Sequence, residues 1–82
     1  SLSHQELRVN AETNRIETTM QVVIPFELGR AFYAKLKANE LKEGDNLMHY
    51  RIRKITDKEI SIGCHTFLRK YLLDFGKSVF CE

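Results

Sequence analysis

Residues 47–64 read Leu47-Met48-His49-Tyr50-Arg51-Ile52-Arg53-Lys54-Ile55, then Thr56-Asp57-Lys58, then Glu59-Ile60-Ser61-Ile62-Gly63-Cys64. Met48, Tyr50 and Ile52 alternate with His49, Arg51 and Arg53, while Ile60, Ile62 and Cys64 alternate with Glu59, Ser61 and Gly63. A period of two marks a strand with one buried face, so this stretch predicts an antiparallel hairpin with Thr56, Asp57 and Lys58 as its loop. Pairing Ile52 with Ile62 gathers both apolar sets on one side. A slip of one residue would set isoleucines against the basic side, so the pattern itself selects the register.

Working outward, the chain downstream changes period. Phe67, Leu68, Tyr71, Leu72, Phe75 and Val79 form the broad apolar stripe of a helix, with Thr66 placed to cap it. Leu73 and Phe80 fall outside that stripe. Their apolar surface calls for cover, from another helix or from a second copy of the chain.

Upstream the same order occurs once already. Glu6–Val9 and Ile16–Ile24 read as strands joined at Ala11-Glu12-Thr13-Asn14, with Asn14 suited to a left-handed turn position. A helix then starts at Pro25-Phe26, its stripe formed by Leu28, Phe32 and Leu36 with Ala31 and Tyr33 beside them. Lys35 falls inside that stripe and has to snorkel. A ββα unit cannot bury its apolar face alone, whereas two can share a core. The expected fold is therefore α+β: a two-layer ββαββα domain over residues 3–81, with the pattern repeated at 6–38 and 47–81. Four antiparallel strands form one sheet carrying both helices on one face.

Composition narrows the function classes. Of 82 residues, 43% are apolar and 29% charged, as in ordinary globular chains. No apolar run approaches the ~20 residues of a membrane span, and no secretory leader pattern is present, so no membrane partner is expected. Cys64 and Cys81 would lie at opposite ends of the second helix, ~21 Å apart over about 14 residues, too far for one bridge. Free thiols fit a reducing, cytoplasmic setting.

The charge is uneven. Residues 1–47 carry six Lys/Arg against seven Asp/Glu, and residues 48–82 carry seven against four, giving −1 and +3 within a net charge of +2. On the alternation, His49, Arg51 and Arg53 project from the outward side of the second hairpin. Lys54 and Lys58 stand near its tip, and Arg69 and Lys70 open the helix. Cations in a helix's first turn are electrostatically disfavoured, so Arg69 and Lys70 invite an explanation outside folding. His49, Arg51, Arg53, Lys58, His65, Arg69 and Lys70 form the candidate ligand-binding set. The structural alternative is a solvated face that Glu59 and Asp74 partly neutralise.

The same register sets His49 directly opposite His65, ~5 Å apart at Cβ, but a third metal ligand is lacking. Cys64 next to His65 resembles a nucleophile with its base, and a helix N-terminus favours a thiolate. Alternation, however, makes Cys64 an inward residue and turns His65 the other way. No catalytic residue, cofactor or metal is assigned. No outward sheet position holds an aromatic, so bases have nothing to stack on.

Three functions follow in order. The first is a non-enzymatic binding module contacting an acidic protein partner or a nucleic-acid backbone through the basic hairpin. The second is a homo-oligomeric assembly component, a homodimer at its simplest. The third, ranked below both, is an enzyme using Cys64 or His65.

Overall fold

The structure, a computed structural model, describes residues 6–18, 23–47 and 49–80. The element order is β1 (Leu7–Asn10), β2 (Arg15–Thr18), β3 (Val23–Pro25), α1 (Phe26–Lys37), β4 (Asn46–Leu47), β5 (Tyr50–Ile55), β6 (Glu59–Ile62), β7 (His65–Leu68) and α2 (Arg69–Phe80). The α+β class and the antiparallel pairing are as expected. In place of one four-stranded sheet there are two, β1-β2-β3 and β4-β5-β6-β7.

The extra strands arise where the chain reverses inside a stretch read as continuous. Arg15–Thr18 and Val23–Pro25 are separate strands that pair antiparallel, with Ile16 opposite Ile24. The segment between them, which holds Met20 and Val22 of the expected continuous strand, lies outside the described residues, as do Met48 and Cys81. In the second half, Gly63-Cys64 is a two-residue loop closed by the pair Ile62 and His65. Gly63 has φ +61°, the conformation that glycine adopts at no steric cost in tight hairpin loops. Residues 65–68, including Phe67 and Thr66, therefore form β7 rather than the start of the helix.

The expected register of the central hairpin holds: Ile52 opposes Ile62. Beyond it β5 bulges. Lys54 opposes Ser61 and Ile55 opposes Ile60, so Arg53 is an extra residue in the ladder. Ile52 and Ile55 are three apart, whereas Ile62 and Ile60 are two apart. One inserted residue is what lets both pairs face the core.

The helices pack antiparallel. Arg69 at the start of α2 reaches Asn39 just past α1, and Phe80 at its end packs on Phe26 in a tilted arrangement with ring centroids 5.0 Å apart. The approach is close because two glycines leave room. A Cβ on Gly76 would overlap the Tyr33 ring, and one on Gly29 would overlap the Ile16 side chain. One end of the helix pair buries Leu36 and Leu72 with Leu47, Ile52, Ile60, Ile62 and Phe67 of the second sheet. The other end buries Tyr33 and Phe80 with Ile16 of the first.

The inward face of α2 is thus Leu72, Gly76 and Phe80. Phe80 is buried and Leu73 packs against both clusters, so the chain itself covers the surface expected to be surplus. Leu7 N–H donates to the Tyr71 hydroxyl at 2.8 Å, tying β1 to α2. The expected α1 stripe holds in Leu36, which is buried, and in Leu28 and Phe32, which pack against the core; Tyr33 and Gly29 are buried beside them, while Ala31 and Lys35 are exposed. A cavity of about 60 Å³ remains where helices and sheets meet, with Ile16, Leu36, Leu47, Ile62 and Leu72 in its wall.

Candidate basic sheet face

The solvent side of the second sheet follows from its register. Ile52, Ile60, Ile62 and Phe67 are buried, so their alternates face water. Arg51 stands between Asn46 of β4 and Gly63, whose N–H bonds the Arg51 carbonyl at 2.8 Å. One row on, Lys54 opposes Ser61, which opposes Thr66. The last row is Glu59 opposite Leu68.

The bulge changes the charge of this face. With strict alternation Lys54 would point inward beside Ile52. The extra residue instead leaves both Arg53 and Lys54 exposed across from Ser61. Arg51, Arg53 and Lys54 are all exposed, and among the described residues none of them lies within ion-pair distance of a carboxylate. Two acidic groups stand near. Glu43 Oε2 accepts the Ile55 N–H at 3.2 Å along the open edge of β5, and Glu59 shares the outward face. The Ser61 and Thr66 hydroxyls are 3.1 Å apart. Whichever donates to the other, one O–H stays free to donate outward.

The remaining candidates are dispersed. Lys58 lies in the β5–β6 loop, where Thr56 Oγ1 accepts the N–H groups of Lys58 and Glu59. The Lys58 carbonyl accepts the Arg69 N–H at 2.7 Å, which sets the start of α2 against the loop. Lys70 is exposed on the first turn of α2, in the helical layer. Arg69 has a folding role after all: Nη2 donates to Asn39 Oδ1 at 2.9 Å. Asn39 has φ +61° and follows α1, whose end is closed by Asn39 N–H to the Leu36 carbonyl and Glu40 N–H to the Lys35 carbonyl. That is a Schellman cap, and a guanidinium is favoured beside a helix C-terminus.

The histidines do not oppose each other. His49 is exposed in the β4–β5 turn, while His65 pairs with Ile62 and shares the core side of the sheet, half-buried at its margin. Strand β6 separates β5 from β7. The expected pairing assumed that β6 ran on through residue 65, and the Gly63 turn removes that premise.

Cys64 also departs from expectation. It is exposed at the hairpin turn, and its Sγ lies 3.8 Å from His65 Nε2 rather than on the opposite face. Four residues of β7 separate it from α2, so the helix-dipole argument for its thiolate lapses. Neither side chain lines the interior cavity. Among the described residues no group of three metal-ligating side chains converges, and no helix is long and apolar enough to cross a membrane.

Lys54 is the cation that sequence reasoning left out of the set. Its signal was the three-residue spacing of Ile52 and Ile55 set against the two-residue spacing of Ile60 and Ile62. No family model, curated protein or solved structure matches the chain.

Proposed function

We propose that this chain is a non-enzymatic binding module that docks a polyanionic partner on the solvent side of β4–β7. The observation that carries the reading is the trio Arg51, Arg53 and Lys54. All are exposed within four consecutive residues of β5, and none is neutralised by a neighbour among the described residues. Unpaired like charges held on a rigid sheet repel one another, and an incoming anion relieves that repulsion. Arginine adds a planar fork that matches phosphate or carboxylate oxygens two at a time.

The test compares the wild type with R51Q/R53Q/K54Q on a heparin matrix at about 50 mM salt, where surface electrostatics are weakly screened. The wild type is retained and elutes as salt rises; the variant, melting at the same temperature, flows through. Equal retention of both proteins, or no retention of either, would overturn the reading.

A further inference from the structure

We infer that the polyanion is the phosphate backbone of duplex nucleic acid, gripped without reading its sequence; the inference rests on the docking face proposed above. Three features of that face narrow the partner.

The first is what the sheet lacks. Its solvent positions are Asn46, Arg51, Arg53, Lys54, Glu59, Ser61, Thr66 and Leu68, with no ring among them. Single-strand readers hold unpaired bases by stacking them on aromatic side chains, and Tyr50 and Phe67 sit on the core side. A duplex hides its bases and presents phosphates, which need no stacking platform.

The second is the hydroxyl pair. Ser61 and Thr66 lie in the row of the bulged cations. Protein contacts to a nucleic-acid backbone come from Arg and Lys together with neutral donors such as Ser and Thr. The bulge puts two cations and two hydroxyls across three adjacent strands, with Arg51 one row away.

The third is the scarcity of apolar grip. Protein interfaces concentrate their energy in buried aromatic or aliphatic side chains ringed by polar ones. Leu68, 36% exposed, is the only large apolar side chain in these rows, and it stands at the margin beside Glu59. An acidic protein would find charge here but little to bury.

Glu59 is the one carboxylate on the face itself, so it opposes the partner and provides a gain-of-binding test. Its backbone N–H and carbonyl hold the Thr56 turn, while the carboxylate makes no ion pair among the described residues. Glu59→Gln should therefore tighten binding and leave the turn intact.

The experiment is fluorescence anisotropy with three labelled probes: a mixed-sequence duplex of about 20 base pairs, one of its strands alone, and a polyglutamate peptide. The expected duplex Kd is about 10–100 µM at about 50 mM salt, rising with a log–log salt slope of about 2.7 for three phosphates at about 0.9 each. R51Q/R53Q/K54Q abolishes duplex binding, R51K/R53K retains the slope, and E59Q lowers Kd about two- to fivefold, the range of a modest electrostatic coupling. A single strand bound as tightly as the duplex overturns the inference. So does polyglutamate bound more tightly than the duplex with the triple variant losing it, although the docking face then stands. A salt slope unchanged in the triple variant, or no binding of any probe, overturns both.

Discussion

The two sheets meet the same geometric problem and dispose of their outward charge differently. The first pairs Arg8 and leaves Arg15 exposed across from Asn10 and Pro25, whereas the second leaves Arg51, Arg53 and Lys54 all without an ion pair among the described residues. In the first sheet the outward Arg8 stands directly opposite Glu17, their charged atoms are 3.7 Å apart, and Asn10 Nδ2 donates to the same carboxylate at 3.2 Å. In α1, Arg30 pairs with Glu27 one turn away at 3.3 Å and lies over the Phe26 ring. In the second sheet the residues across from outward cations are Asn46, Gly63 and Ser61. Exposed pairs contribute only ~0–1 kcal/mol each, so stability does not explain the contrast. The difference teaches that cross-strand partners, rather than composition, decide where charge stays available for a partner.

Whether the halves are one cooperative unit is the largest effect to measure. Ile60 has no exposed surface, and Ile60→Ala should cost about 2–5 kcal/mol. Because the helices interlock and Tyr71 holds β1, the loss should appear as one urea transition, seen equally by a probe in either half. Two separated transitions would break the picture of a shared core.

Gly76→Ala tests the helix contact that joins them. Alanine favours a helix by about 1 kcal/mol over glycine, yet its Cβ would overlap the Tyr33 ring, at an overpacking cost of about 1–3 kcal/mol. Net destabilisation in thermal melts is the expected result, and a stabilised variant would mean that the ring can move aside.

Arg69→Ala separates a folding cation from a binding one. Loss of the Asn39 hydrogen bond should cost about 1 kcal/mol while retention on heparin barely changes; an equal loss of retention would extend the docking face into the helical layer.

The bulge itself can be probed by deleting Lys54. The deletion leaves Ile52 and the following isoleucine opposite Ile62 and Ile60 with no extra residue, so stability should fall by less than about 1–2 kcal/mol, the scale of a modest packing change. Deleting Ser61 instead would throw an isoleucine to the wrong face and should cost more than deleting Lys54.

Smallest of all, Arg8→Gln and Arg51→Gln should each leave stability within about 0.5 kcal/mol. Only the second should weaken polyanion binding, which brings the contrast between the sheets to a single pair of variants.

Much of this was legible residue by residue. Period-two alternation gave the Ile52–Ile62 register and the Thr56–Lys58 loop, and Asn14 takes the left-handed turn it suggested, at φ +57°. The reversals were harder to see. A glycine within an alternating run can continue the strand or turn it: read straight, Ile60, Ile62 and Cys64 share a face that Phe67 does not, whereas the turn at Gly63-Cys64 brings Phe67 back opposite Ile60. Reading it straight placed His65 opposite His49 and buried Cys64; the fold does neither. Arg69 showed the same limit, since a cation that looks misplaced in its own helix is well placed beside the end of another.

From the order of its residues alone, the chain settled the register of its central hairpin and roughly where strands give way to helices, because those depend on periods of two and of 3.6 within a few neighbours. Tertiary structure decided that Lys54 faces outward, that Phe80 is covered by its own chain, and that two sheets share one helix pair. Each of those depends on a partner far along the chain, and local pattern carries no information about which distant surface will arrive to cover it.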